Sequence, residues 1–579
     1  MSALFTGRGS EMPAVYKPVV TAESGNYRGA ALVGTYSAII GWTFDDPALR
    51  KGLLGFGIRR TDLDPETGER LRMDWLGGYK RFRETDDGKS EDVRSLEAPF
   101  QRFRWNDYSL KPERAYLYEV FPMRGKPDEL THEEAPLKFR IRPSEEDPGD
   151  LGVFVNRGVT SALAYLARFK NRHPKEVGAP AYKWLSRGLK ESLLGFIAAT
   201  NPGESLHVAI YEFFDHEVAQ AFRDAVDRGV DLSIVHDAVS GKSSTKENDK
   251  VIVDFGLKDY RTRRTTVKIS HNKIVIRLVK GRPREVWTGS ANFSENAFNF
   301  QTNTALIVRD PDAVKHYEEY FQALTGNPPK AKSKIANRDI MDDANAGDGG
   351  FAEKMFFSPI SKKEILEASI DLIGSAKSIV MISAPFGMDK SVIDALHANP
   401  DDVMEYGLAN STAKMNIESL HRKNTRFFTP TAMKTYMGRS WDAKAFGAHK
   451  IHAKTIVVDP WSSNPKVLIG SANFSEESCC DNDENAMLIT GNRRLSSIIA
   501  TEFMRMYDHY KSRYYIDDLE KKNDKIRKEN KQLEKQGLKP KSLIEMDKFL
   551  ESDESWSRTS FDPKSRSHKC RDRIVFAGD

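Results

Sequence analysis

Residues 269–308 and 450–489 repeat one another. The first copy reads Ser270-His271-Asn272-Lys273 and then Gly289-Ser290-Ala291-Asn292-Phe293-Ser294-Glu295. The second reads Ile451-His452-Ala453-Lys454 and then Gly470-Ser471-Ala472-Asn473-Phe474-Ser475-Glu476. An offset of 181 residues carries His271 onto His452, Lys273 onto Lys454, Ser290 onto Ser471 and Asn292 onto Asn473. The register holds without a gap until past Ala305 and Ala486. A repeat in strict register means two copies of one structural unit. Either half alone would expose its motif face, so the natural assembly is two α/β halves facing each other across a pseudo-twofold.

Alternation over Thr266–Ile276 predicts a strand that sends His271 and Lys273 to one face, roughly 7 Å apart. Sixteen residues after the lysine, each copy reaches its Gly-Ser-x-Asn turn. A hairpin of that length returns the serine and asparagine beside the histidine and lysine. Imidazole, ammonium, amide and hydroxyl together favour a tetrahedral oxyanion, above all a phosphate. The cluster holds no good metal-binding carboxylate, so neither a metal nor another cofactor is expected. Doubling it supplies what phosphodiester cleavage needs. One neutral histidine attacks phosphorus, the other protonates the leaving oxygen, and water then completes hydrolysis. Among thirteen histidines a single H-x-K string carries little weight, but two such strings in identical register carry much.

These residues resemble the paired H-x-K-x4-D…G-S-x-N signatures of the phospholipase D superfamily, over roughly residues 150–515. The resemblance implies a two-lobed α/β/α sandwich with the active site at the lobe interface, a covalent phosphohistidine and no metal dependence. His452, Lys454, Asp459, Gly470, Ser471 and Asn473 match the whole pattern, while Leu278 stands where the first aspartate is expected. In the family that aspartate lies off the reacting centre, so its loss bears on local structure; tyrosyl-DNA phosphodiesterases similarly lack it. Downstream, Asn482-Asp483-Glu484-Asn485-Ala486 resembles the glutamate segment of the family's nucleases, and Asn303 holds the matching place in the first copy. A carboxylate beside an imidazole raises its pKa and favours the imidazolium. We therefore expect Glu484 to back His452 as general acid and later base, and His271, beside Asn303, to be the nucleophile. Ser290, Asn303, Ser471 and Asp459 are expected in substrate-binding or supporting roles. His449, His236 and Asp237 are expected to be bystanders.

The rest of the chain reads as a multidomain protein. Residues 1–30 are expected to be a flexible N-terminus. Residues 31–145 carry short β runs separated by turns, such as Arg70–Trp75 and Leu137–Ile141, and read as an antiparallel sandwich. The run Trp105–Val120 weakly resembles fibronectin type III strands. Asp107 and Glu119 there are expected to be turn and solvent-facing carboxylates rather than metal ligands. A charged break at Pro143–Gly149 precedes lobe 1 (150–327), and a polar connector (328–350) precedes lobe 2 (351–515). Beyond it, residues 516–579 read as a charged helix and a tail.

Three cysteines, two of them adjacent, build neither a disulfide framework nor a zinc site, which suits a reducing compartment. With no secretory signal and no apolar run near the ~20 residues that span a bilayer, a cytoplasmic setting without membrane insertion is expected. Net charge of +5 is mild, but basic stretches lie near the motifs: Arg261–Arg264, Lys280–Arg284 and His421–Arg426. With Phe427, Phe428 and Trp441 as stacking surfaces, they favour nucleic acid as substrate. Cleavage of DNA or RNA, suited by analogy to defence against foreign nucleic acid, is the leading expectation. A phospholipase D or lipid phosphatidyltransferase and a non-catalytic nucleic-acid-binding module are the alternatives. Both catalytic copies lie in one chain, so no dimer is required, although the sandwich or the C-terminal helix offers surfaces for oligomerisation.

Overall fold

A computed structural model describes residues 15–88, 92–159, 163–170, 172–347, 350–411, 424–430, 450–565 and 567–578. The chain divides into two compact units. One comprises residues up to Glu145 with Ser497–Arg505 and Tyr515–Asp579; the other comprises Glu146–Ser496 with Met506–Tyr514.

In the first unit, Val19–Ser24, Tyr27–Val33, Ala38–Phe44 and Arg104–Asp107 form an antiparallel sheet. A second sheet joins Glu129–Thr131, Ala115–Lys126, Gly55–Leu63 and Arg70–Trp75, with Leu137–Ile141 also pairing to Ala115–Lys126. Their buried faces supply one core that includes Trp42, Phe44, Phe56, Ile58, Tyr118, Val120 and Phe139. A flexible segment through residue 30 is therefore corrected: Val19–Ser24 and Tyr27–Val33 are strands, and Ala30, Ala31 and Leu32 are fully buried. Small residues there carry little strand signal, and pairing with the Trp42 strand imposes the conformation. Asp107 and Glu119 are also corrected. Both are buried, Asp107 accepting from Arg60 at 2.9 Å and Tyr118 at 2.7 Å, and Glu119 accepting from Arg59 at 2.8 Å.

The tail belongs to this unit. Trp556 stacks on Phe103 and donates its indole N–H to the Leu53 carbonyl at 2.8 Å. The helix Lys569–Phe576 lies so close to the strand Ala38–Phe44 that a Cβ on Gly41 would meet the Phe576 carbonyl at 2.0 Å. Only glycine permits that approach. The charged helix expected from residue 516 is the later part of one continuous helix that runs from Arg493 to Lys535.

The second unit holds two seven-stranded sheets. In spatial order the first is Leu151–Val155, Thr304–Val308, Arg282–Gly289, Lys273–Val279, Ser205–Ile210, Asp231–Asp237 and Arg261–Arg264. The second is Lys354–Ser358, Glu484–Thr490, Lys466–Gly470, Lys454–Val458, Ile379–Ser383, Met404–Leu408 and Thr425–Phe428. Numbered by chain order, both sheets read 1-7-6-5-2-3-4, with parallel pairing confined to strands 2, 3 and 4. Central strands such as Ile379–Ser383 and Met404–Leu408 are buried along their length, which explains their continuous apolar runs. Helix His216–Asp227 is capped by Asp215 and buries Val218, Ala219, Phe222 and Ala225 at helical spacing against the first sheet.

The polar connector over 328–350 is corrected as well. Lys330–Ala344 is a helix that buries Ser333, Asn337 and Met341, a stripe at four-residue steps. Two polar members of that stripe hid it from a hydrophobic reading: Asn337 donates to the Pro359 carbonyl at 3.1 Å, and Ser333 accepts from Arg264 at 2.8 Å. No helix among the described residues is long and apolar enough to cross a membrane.

Candidate active site

Each Gly-Ser-x-Asn turn sits at a strand end where space has run out. Gly289 pairs with Ala305 and Gly470 with Ala486, and a Cβ on either glycine would fall 2.2–2.3 Å from a carbonyl of the neighbouring strand. The next residue is consequently pinned. Ser290 donates its N–H to the Thr304 carbonyl at 2.9 Å, and Ser471 donates to that of Asn485 at 2.9 Å. Both hydroxyls are spent internally, Ser290 Oγ on Asn303 Oδ1 at 2.8 Å and Ser471 Oγ on Glu484 Oε2 at 2.7 Å. The serines support the side chains that hold the histidines and do not project as phosphate donors.

The strands begin at Lys273 and Lys454, not upstream of the histidines. His271 and His452 lie on the preceding extended residues, which bridge to the other sheet: Ser270 pairs with Asp483, and Thr302 with Ile451. His271 N–H donates to the Asp483 carbonyl at 2.9 Å and His452 N–H to that of Thr302 at 3.0 Å. Each histidine is therefore fixed by the opposite copy. His271 Nδ1 lies 2.8 Å from Glu484 Oε2, and His452 Nδ1 lies 2.9 Å from both Asn303 Oδ1 and the Ser290 carbonyl. This overturns the expected pairing of His452 with Glu484 and of His271 with Asn303. The acid or amide follows its own histidine by 32 residues in both copies, and facing halves exchange those partners. All three acceptors on Nδ1 are oxygens, so each ring carries its proton there and leaves Nε2 as the reactive nitrogen.

The two lysines are buried and hydrogen-bonded to the carbonyls of their own histidines, Lys454 Nζ to His452 O at 2.7 Å and Lys273 Nζ to His271 O. An aromatic ring backs each pair. Tyr211 lies 5.0 Å from the His271 ring and 5.4 Å from Lys273 Nζ; Phe386 lies 5.6 Å from the His452 ring and 5.3 Å from Lys454 Nζ. Asn292 Nδ2 donates to Glu212 Oε2 at 2.6 Å, while the Oδ1 atoms of Asn292 and Asn473 are buried without a hydrogen-bond partner among the described residues. Tyr211, Phe386 and Glu212 were not marked by the repeat, because they follow strands Ser205–Ile210 and Ile379–Ser383 outside it. Their signal is positional: Ile210 pairs with Lys273, so the next residues overhang the site.

Asp237 is no bystander. Its Oδ1 accepts the Ser270 N–H at 2.8 Å and so holds the residue before His271, and burial pushes its pKa up to about 6. Asp459 lies away from the cluster and clasps the start of a neighbouring strand, accepting the N–H groups of Lys377, Ser378 and Ile379 at 2.8–2.9 Å. Leu278, at the matching place in the first copy, is buried.

The basic stretches are mostly committed elsewhere. Arg264 is fully buried against Asp483, and Arg261 and Arg263 pair with Asp249. Lys280–Arg284 turns at the far end of the strand that begins at Lys273, roughly 20 Å from the site. Phe427 and Phe428 are buried core residues rather than stacking surfaces. Residues 421–423, Trp441 and His449 lie outside the described residues. Among the described residues one group offers three ligands to a metal, His316, Glu319 and Asp343, and Lys315 already lies 2.9 Å from Asp343.

The electrostatics suit an incoming anion. Burial and the facing ammonium groups hold both histidines well below the ordinary imidazole range. Burial brings Lys273 down to about 7 and drives Glu484 up to about 7. Below that pH Lys273 is charged and Glu484 neutral; above it the lysine loses its charge and the carboxylate gains one. Sulfate keeps its double charge across this range, so its affinity should fall about tenfold or more between pH 6 and pH 8. Calorimetric titration at the two pH values measures this; an affinity that is flat or rises with pH contradicts the assignment.

Residues 195–325 and 369–507 match the family model described as cardiolipin synthase, PLD-like domain. Similar solved structures include Nuc, a phospholipase D family member from Salmonella typhimurium, at 25% identity over 23% of this chain and 84% of that one, with a TM-score of 0.20. NucT from Helicobacter pylori is 20% identical over 31% of this chain and 96% of its own, with a TM-score of 0.22. Polyphosphate kinase from Porphyromonas gingivalis is 11% identical over 77% and 72%, with a TM-score of 0.37. No curated protein matches the chain. With one phospholipase D-like model matched over two stretches, and a histidine–lysine string in each, this chain is a member of the phospholipase D superfamily.

Proposed function

We propose that the chain is a metal-independent phosphodiesterase that works through a phosphohistidine intermediate and cleaves nucleic acid. The observation that carries this reading is the pair of imidazoles, each tethered through Nδ1 by the opposite copy and flanked by a buried lysine. With the substrate anion bound, His452 takes up a second proton on Nε2; His271 Nε2 then attacks phosphorus, the P–O bond to the leaving group breaks, and the departing oxygen takes that proton. His452 then removes a proton from water as its oxygen attacks phosphorus, the P–N bond breaks, and the phosphate leaves. Lys273, Lys454, Asn292 and Asn473 stabilise the equatorial oxygens.

His271 keeps the nucleophile's role for a reason opposite to the sequence argument. The phosphorylated ring is a cation for the life of the intermediate, and Glu484 compensates that charge. His452 faces only neutral acceptors and so parts with its proton more easily.

The nucleic-acid reading is supported by Phe386, a 41% exposed residue whose ring lies 5.6 Å from that of His452, the kind of aromatic side chain that proteins use to stack on bases. The two N-terminal sheets, read as a fibronectin type III-like sandwich, would bind or position the substrate. A second reading, phosphatidyl transfer or lipid phosphodiester cleavage, is favoured by the description of the matched family model. Single-stranded DNA, duplex DNA, RNA and liposomes of phosphatidylglycerol, each incubated with the protein in EDTA, separate the two. Shortened DNA or RNA is the expected product. Headgroup release from liposomes with nucleic acid intact replaces this reading by the second.

A further inference from the structure

One carboxylate in the cluster has no role in the phosphohistidine chemistry. Glu212 lies just past the strand Ser205–Ile210; its carbonyl accepts the Phe293 N–H at 2.9 Å, and its carboxylate takes one of the two Asn292 amide protons at 2.6 Å. It is therefore locked beside a residue that would hold the phosphate, with the second Asn292 amide proton left for an oxyanion. Burial pushes its pKa above the ordinary carboxylate range, while the bond from Asn292 and the fields of Lys273 and Lys454 pull it back down. The matching stretch of the other copy, Ala384-Pro385-Phe386-Gly387, contains no acid. An anion on one side of an anion-binding site works against total affinity, so its presence calls for a selective use.

Charge arithmetic supplies one. Asp237 has Lys242 at 3.9 Å and Asp483 has Arg264 at 2.9 Å, so those pairs cancel. What remains is Lys273 and Lys454, both drawn below the ordinary lysine range by burial, against Glu484 and Glu212, with both imidazoles neutral, so at pH 8 the site holds no surplus of positive charge. A phosphodiester brings one negative charge, which a proton taken up by His452 Nε2 balances. A phosphomonoester brings two and leaves an excess negative charge in a buried site.

We propose that Glu212, bonded to Asn292 beside the two lysines, is the specificity-determining anion that admits singly charged phosphodiesters and rejects doubly charged phosphomonoesters. The inference rests on the phosphodiesterase reading and deepens it: the monoester product is expelled because it is dianionic. At the effective dielectric of such sites, one unit charge a few ångströms from a carboxylate changes affinity roughly tenfold or more.

The test is calorimetric titration of the full chain at pH 8 with dimethyl phosphate, a monoanion, and methyl phosphate, a dianion. Glu212→Gln should tighten methyl phosphate about tenfold or more while moving dimethyl phosphate far less. Glu212→Asp, which keeps the charge but shortens the reach to Asn292, should retain the wild-type preference. Equal shifts for both anions in Glu212→Gln, or no shift in either, overturn the proposal and leave the phosphodiesterase reading standing. A wild-type protein that binds neither anion overturns both.

Discussion

His271→Ala is expected to lower kcat about 10⁴-fold or more, because the attacking nitrogen is gone and no neighbouring group replaces it. His452→Ala should behave differently. A 4-nitrophenyl diester leaves without a proton, so His271 can still attack; without His452 as base, the phosphohistidine then hydrolyses slowly. The expected record is a burst of about one nitrophenol per chain followed by little turnover. The accompanying label on His271 should be stable in base and lost in acid. His271→Ala should give neither burst nor label. If the burst and label belong to His271→Ala, with phosphate on His452, the roles are exchanged and Glu484 supports the acid. The Nδ1–Oε2 distance of 2.8 Å places Glu484 on His271 in either case.

The second large effect is on stability. Arg264 is fully buried and donates to both oxygens of Asp483 at 2.9–3.0 Å, to the Pro328 carbonyl at 2.6 Å and to Ser333 at 2.8 Å. It ties an edge strand of the first sheet to the helix Lys330–Ala344 and to the residue before Glu484. Removing one partner of a buried ion pair leaves the other charge without compensation, so Arg264→Met is expected to destabilise the second unit by about 3–5 kcal/mol. Arg264→Met combined with Asp483→Leu should recover most of that loss, since no charge is then stranded. Denaturant unfolding of the three proteins measures it. A single substitution costing less than about 1 kcal/mol would show that the pair is not the clamp described. Because Asp483 also accepts the His271 N–H, activity should fall with stability in the single variant.

Much of the local structure was readable from pattern. Arg70–Trp75 and Leu137–Ile141 alternate and are strands at the residues the alternation marks. Leu151–Val155 and Lys354–Ser358 leave no mark in the pattern because five residues beside Pro- and Gly-rich turns carry too little periodicity, and both are edge strands recruited by a partner far along the chain. The helix over residues 330–344 reads as a connector in sequence because two of its three buried residues, Ser333 and Asn337, are polar, and their partners lie elsewhere in the fold. The basic stretch Arg261–Arg264 read as a surface for nucleic acid because charge in sequence says nothing of ion pairing; in space its arginines face Asp249 and Asp483.

What the residues alone determined was the inventory: two histidines, two lysines, two Gly-Ser-x-Asn turns and one acid against one amide, held to a common spacing. That spacing is a property of each copy, because it follows from strand and hairpin lengths along a continuous backbone. Who touches whom across the two copies was decided only by tertiary structure. Glu484 reaches His271, Asn303 reaches His452, and Glu212 joins from outside the repeat altogether. The physical reason is that a hydrogen bond between facing sheets depends on how the sheets are set against each other, and no intra-copy spacing encodes that placement.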